Sequence, residues 1–285
     1  MHSLPRRRSC LTVPGASEKM LAKALALPAD EIVLDLEDAV PVTDKAEARS
    51  RVAALLGSAQ WRERTVSVRI NAIGTAWYKD DLAAVVAAGH PTVTLIVPKV
   101  EGEADLRLVE KHLAEAGSIG GHIGLQVLVE TAAGVANAFA IAGSSPRLQT
   151  LIIGYADLAS SLGRPARSQA SWQTVQDLVL LAARAHGLQP IDGPFFRIDD
   201  EDALHSEAAR ARAQGFEGKW AIHPLQIEPL NVAFTPDVDE IADARSLIVH
   251  LNQTGGAATS FAGGMVDEAM RLSALRTLAR AGLTE

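Results

Sequence analysis

Eight short apolar runs, each followed by an amphipathic, alanine-rich stretch, predict a closed (β/α)8 TIM barrel for this 285-residue chain. Strict β–α alternation makes the strands parallel and covers them with helices. Eight such units in this length favour a closed barrel over an open doubly wound sheet. No Gly-x-Gly-x-x-Gly follows the first run, which argues against a dinucleotide-binding sheet.

The units follow in order. SCLTVPG precedes a helix over 17–27, and EIVLDLED precedes one over 43–56, with Thr43 as a candidate N-cap. RTVSVRIN leads to 75–88, TVTLIVPK to 102–116, and HIGLQVLVE to 131–142. LQTLIIG runs into a short helical turn at 157–162 and a longer helix over 169–186. LQPIDGPF precedes 200–214, and GKWAIHP precedes 225–232. Two more helices, 236–251 and 266–281, follow. The expected organisation is a barrel domain over 1–235 and a C-terminal helical extension over 236–285. Between the last two helices, NQTGGAATSFAGG reads as a mobile loop.

Composition excludes several classes. Hydrophobic residues make up 48% and charged residues 21%, enough for a large core. The net charge of -7, without a long basic run, argues against nucleic acid as a partner. No window approaches eighteen unbroken apolar residues, so no membrane span is expected. SCLTVPG is too short and ends too early in Pro-Gly for the core of a signal peptide. The single cysteine, Cys10, reads as a buried thiol. It cannot form an internal disulfide, which fits a cytoplasmic protein. Trp61, Trp77, Trp172 and Trp220 read as helix-packing residues, and His90, like most of the histidines, as a surface residue.

In a barrel, reactive groups gather at the carboxyl ends of the strands. There the sequence places Pro14-Gly15, then Glu37-Asp38, then Arg69 and Asn71, then Lys99. Glu130, Gly154-Tyr-Ala-Asp157, Asp192 and His223-Pro224 complete the ring. Alternation in VSVRIN puts Arg69 on the inward face with Ser67 and Asn71, where an anion or a carboxylate partner would meet it. Asp35 reads as structural, facing the interior against a cation. Carboxylates outnumber cations in this ring, and a bound cation would relieve them. Without a His/Cys cluster zinc is disfavoured, and oxygen donors suit Mg2+ or Mn2+. Glu130 and Asp157, at the ends of neighbouring strands, are the best-placed pair. Simple salt bridging with Arg69 and Lys99 is the alternative.

The chain resembles the citrate lyase beta-subunit-like family, within the HpcH/HpaI aldolases that also include malyl-CoA and citramalyl-CoA lyases. The matching pieces are RRSCLTVPG, ADEIVLDLEDAVP with Lys45 and Arg49 beyond, VRIN, VPKVE and VETAAGVANAFAIA. LIIGYADLASSLG, GFEGKWAIHPLQIEPLN followed by FTP, and GGMVDEAM continue the series in order over nearly the whole chain. The resemblance implies a Mg2+-dependent lyase cleaving a 3-hydroxyacyl-CoA into an acyl-CoA and a 2-oxo acid. It implies Glu130 and Asp157 as metal ligands and Arg69 as the group that grips the 2-oxo acid. Glu37, Asp38, Gly154, Ala156 and Lys99 would surround the substrate, with Glu37 also in the catalytic set. Asp267 would arrive from a neighbouring subunit as the catalytic acid or base, in a homotrimer or a multiple of one. Arg8, Asp192, His223 and Pro224 would contact CoA. The chain departs from the family at Ala262-Gly263-Gly264, where Asp-Gly-Lys is usual. It departs again in ASEKML, which lacks an arginine common there. Both departures bear on the acyl carrier. The other expectations weighed are a carrier-dependent citrate lyase beta subunit, a malyl-CoA thioesterase or malate-synthase-like enzyme, and a non-catalytic binding protein.

Overall fold

In the computed structural model, which describes residues 4–117, 123–165 and 170–283, eight parallel strands close into a barrel in chain order. They are β1 (Ser9–Pro14), β2 (Glu31–Asp35), β3 (Val66–Arg69), β4 (Thr94–Val97), β5 (Gly124–Val129), β6 (Leu148–Ile153), β7 (Gln189–Asp192) and β8 (Gly218–Ala221). β8 closes on β1 in the register Cys10 with Trp220 and Leu11 with Ala221. The expected (β/α)8 architecture is therefore present.

The crossover helices are α1 (Glu18–Ala24), α2 (Lys45–Gly57), α3 (Ala59–Arg62), α4 (Tyr78–Ala88) and α5 (Glu103–Glu115). They continue with α6 (Ala132–Ala136), α7 (Ala138–Ala142), α8 (Tyr155–Ser161), α9 (Gln173–Ala185), α10 (Glu201–Gln214) and α11 (Ile227–Ala233). Their starts follow local chemistry. Ser17 accepts from the Met20 amide at α1, Thr131 from Gly134 at α6, and Asp200 from Ala203 at α10. Thr43 is not the cap of α2. It lies in a short 3-10 turn over Val42–Asp44, and its hydroxyl bonds Asp44 instead.

Strand alternation sorts the barrel interior into layers. At the amino ends, fully buried Arg7 donates to Glu31 (3.1 Å), Gln189 (2.6 Å) and Gln149 (2.7 Å). Gln126 donates to Glu31 and Thr94, and Thr150 to Gln126, so this end is plugged by side chains. The middle layer is apolar: Cys10, Val33, Ile96, Leu128, Ile152, Ile191 and Trp220. Trp220 thus packs inside the barrel rather than against a helix, because Gly218 and Trp220 share the inward face of β8. Burial pushes the Cys10 thiol well up, so it stays protonated. His90 is also buried, bonding the Trp61 carbonyl at 3.1 Å, where the turn after α4 tucks beneath α3.

Residues 1–230 and 231–285 form separate compact units. In the second, α12 (Val238–Gln253) starts at a reciprocal Asp237–Glu240 capping box. It packs on α13 (Arg271–Arg280) through Ala244, Ile248, Ala274 and Leu278. The segment read as a mobile loop is instead an antiparallel hairpin, β9 (Thr259–Phe261) and β10 (Gly264–Val266). Its two-residue turn puts both Ala262 (φ 49°) and Gly263 (φ 82°) in the left-handed region, as a type I′ turn requires. The last helix consequently starts at Arg271 and not at 266. Asp267 caps the 3-10 turn before it, accepting from Ala269. Among the described residues, no helix is long and apolar enough to cross a membrane.

Candidate active site

At the carboxyl ends of the strands a pocket of about 400 Å3 opens above the apolar layer. Leu128 and Trp220 form its floor, and Asp35, Asp38, Arg69, Glu130 and Asp157 are its charged walls. Gly154 and Ala156 also line it.

Arg69 is held as expected for a residue on the inward face of β3. Asp35, fully buried, takes Nε of Arg69 at 2.8 Å and a terminal nitrogen at 2.5 Å. The same carboxylate accepts the amides of Glu37 (2.8 Å) and Ala39 (3.2 Å). Asp35 therefore has no capacity left for a ligand: it fixes both the guanidinium and the loop after β2. The other terminal nitrogen of Arg69 lies 3.0 Å from Glu37. Its guanidinium sits over the Trp220 ring, 5.8 Å from the centroid. Despite its burial, these carboxylates raise the Arg69 pKa further, so it is always charged.

Glu37 and Lys99 do not border the pocket but stand behind Arg69. Lys99 bonds Glu37 and lies 3.7 Å from Asp38. Burial raises the Glu37 pKa, against the pull of Arg69 and Lys99. A residue that sequence inspection left without a role, Lys45, completes this layer. Its ammonium donates to the carbonyls of Leu36 and Glu37 and to Asn71, three bonds that use all three protons. Its place in the first turn of α2, directly after the acidic loop, was the available signal.

Glu130 follows β5 and is 2% exposed. One oxygen accepts the Lys99 amide at 2.9 Å. Lys99 achieves this with a left-handed backbone, φ 55°, uncommon for a non-glycine residue. Burial, then the charges of Glu37 and Asp157, push the Glu130 pKa up to about 8. Asp157 stands in the first turn of α8 and is half-buried. The chain passes so close to Glu130 at Gly154 that a Cβ there would lie 2.4 Å from its other oxygen. Glu130 and Asp157 thus repel each other across an oxygen-only site. Among the described residues no third His, Cys, Asp or Glu joins them to enclose a metal. The donor set fits a hard divalent cation whose remaining positions belong to water or substrate.

Three sequence expectations meet a different geometry. Asp192 faces outward from β7, since Ile191 takes the inward position. It is fully buried and held by Lys219 (2.6 Å) and the Tyr155 hydroxyl, leaving nothing for CoA. Arg8 precedes β1 at the opposite end of the barrel, roughly 20 Å of strand from the mouth. Asp30 takes its Nε at 2.8 Å. His223 and Pro224 do lie at the mouth end of β8, but the His223 ring accepts the Leu225 amide at 3.3 Å and caps the turn over Pro224–Gln226. Asp267 belongs to the second compact unit.

Residues 8–224 match the model of the HpcH/HpaI aldolase/citrate lyase family. The chain belongs to this family. Among HpcH/HpaI relatives, the L-malyl-CoA/beta-methylmalyl-CoA lyase of Cereibacter sphaeroides is 33% identical over 89% of this chain and 88% of its own. A (3S)-malyl-CoA thioesterase of the same species is 37% identical over 96% of this chain and 94% of its own. Of the solved HpcH/HpaI structures, CitE from Mycobacterium tuberculosis in complex with magnesium, acetoacetate and coenzyme A superposes with a TM-score of 0.80. It is 31% identical and covers 97% of this chain and 98% of its own. A citrate lyase from Burkholderia xenovorans reaches 0.85 at 26% identity, covering 98% and 92%.

Proposed function

We propose that the protein is a Mg2+-dependent carbon–carbon lyase. It cleaves a 3-hydroxyacyl-CoA of malyl, citramalyl or citryl type into an acyl-CoA and a 2-oxo acid. One observation carries this reading: the under-compensated Glu130–Asp157 pair shares a pocket with an arginine fixed in place and permanently charged. Glu130 and Asp157 would hold Mg2+, or Mn2+, which when bound polarises the oxygen that becomes the ketone.

The chain's own residues do the rest. Arg69, oriented by Asp35 and Glu37, presents positive charge where the oxyanion develops and needs no reorganisation to do so. Asp38, Gly154 and Ala156 border the 2-oxo acid, while Lys99 positions Glu37 and Glu130. In cleavage the 3-hydroxyl gives its proton to solvent water and the C2–C3 bond breaks. The electron pair passes to the thioester enolate, which is protonated at carbon. Asp267 supplies that proton from the C-terminal unit of a neighbouring subunit, in a trimer or a multiple of one, and acts as base in the reverse reaction. The thioester leaves the mouth past His223-Pro224. The one cysteine, Cys10, is buried and unpaired, which fits a reducing cytoplasm.

The test offers purified protein the CoA thioesters of malate, citramalate, 3-methylmalate and citrate, with and without Mg2+. Release of a 2-oxo acid only with Mg2+, abolished in Glu130→Ala, is the expected result. Full metal-dependent activity in Glu130→Ala would remove the metal assignment. The thioesterase relative favours a second reading, in which free CoA appears with no 2-oxo acid.

A further inference from the structure

We infer that the pocket accepts only a 2-oxo acid fragment with a single carboxylate, of glyoxylate or pyruvate type, and rejects an oxaloacetate-type dicarboxylate. This rests on the lyase reading and narrows it. At the mouth, the carboxylates Asp35, Glu37, Asp38, Glu130 and Asp157 meet the cations Arg69, Lys99 and Lys45. One divalent cation balances this set and leaves no positive charge over.

The side-chain cations are also committed. Lys45 has no proton to spare, and Lys99 is bound between Glu37 and Asp38. Arg69 spends one N–H on each Asp35 oxygen, and its other terminal nitrogen lies 3.0 Å from Glu37 and 3.9 Å from Asp38. A guanidinium with one edge already given to Asp35 serves one substrate carboxylate, not two. No other lysine, arginine or histidine is among the described residues lining the pocket.

The rest of the wall does not help. In a barrel closed in chain order, β1 lies across from β5, so the wall facing Glu130 is centred on β1, between the β8 end and the carboxylates that end β2. The β7, β8 and β1 side of the pocket contributes Pro14, Met20, Pro194, Phe196 and Ile222, with the Thr12 hydroxyl as its polar group and no cation among them. A hydrogen or methyl substituent packs against it, and so does an apolar acyl arm. A second carboxylate there would be desolvated without a cationic partner.

The test has two readouts. Steady-state cleavage of malyl-, citramalyl- and citryl-CoA with Mg2+ is expected to show kcat/KM for citryl-CoA roughly 100-fold below the better of the other two. Met20→Arg, at a half-exposed position on the apolar wall, is expected to narrow that gap to about tenfold or less by supplying the missing cation. Calorimetric binding of glyoxylate, pyruvate and oxaloacetate to the Mg2+-loaded protein reads the same preference without turnover. Oxaloacetate bound as tightly as pyruvate, or citryl-CoA cleaved as well as the others, overturns the inference. A preserved preference for the monocarboxylates with no thioester cleaved would leave it standing and overturn the lyase reading alone.

Discussion

Glu130 ties stability, protonation and metal together. Its folded pKa of about 8 lies above its ordinary value of 4.5. Between those values the folded carboxyl keeps a proton that the unfolded chain has lost. Stability of the metal-free protein therefore falls as pH rises from about 4.5 through 8, and above 8 the full cost is present. Under the proposed metal assignment Mg2+ binds the ionised form and opposes this loss. The thermal shift produced by Mg2+ is expected to grow from pH 6 to pH 9, and Glu130→Gln to abolish both the shift and its pH dependence. A Mg2+ shift independent of pH in the wild type would contradict the assignment. Gly154 makes a sharper case, because a methyl there meets Glu130 at 2.4 Å. Gly154→Ala should reduce kcat/KM by about 100-fold or more by displacing the carboxylate, with far-UV circular dichroism unchanged. Arg69→Lys keeps the charge but loses the two-pronged hold on Asp35, and should cost roughly 100-fold in kcat/KM.

At the scale of elements, the buried connection between β7, β8, α8 and α9 has the largest structural stake. Lys219 and Asp192 are buried together on the outward faces of adjacent strands, and Tyr155 joins them to Gln176. Lys219→Met leaves Asp192 charged without its partner and is expected to cost about 3–5 kcal/mol in urea unfolding. Lys219→Met with Asp192→Leu should recover much of that loss, since the fully buried charge is then gone and Glu207, the other partner of Lys219, reaches solvent. This network was not legible beforehand. Asp192 was visible as a polar residue at a strand end, but deciding its direction required knowing that Ile191 faces inward. Arg69 was legible because VSVRIN alternates over a full strand, whereas β7 is only four residues and opens on Gln-Pro. The hairpin at 259–266 escaped notice because its turn is Ala-Gly and not the Asn-Gly that announces a type I′ turn. The strands, most crossover helices and the Glu130–Asp157 pair were readable, since each rests on local pattern and position along the barrel rim.

For the whole molecule, the proposed role of Asp267 assigns a residue of the second compact unit to a barrel site. If it serves a neighbour, two inactive variants should complement. Mixing Asp267→Ala with Glu130→Ala after subunit exchange is expected to restore a measurable fraction of activity, since some sites then combine an intact Glu130 with an intact Asp267. No recovery after demonstrated exchange would place both residues in one subunit's service. The apolar floor and the charged rim follow from the same alternation of strand residues, which is why one sequence rule accounts for both the core and the site.

The side-chain plug beneath the apolar layer also has a kinetic meaning. With Arg7, Glu31 and Gln126 filling the far end, the reaction chamber has one door. Whatever lies deepest leaves last. In the proposed reaction the 2-oxo acid, on the Arg69 side against the floor, would be trapped until the longer acyl thioester has gone. Its inhibition should compete with the incoming substrate, while the acyl thioester inhibits noncompetitively: an ordered departure dictated by the closed bottom of the barrel.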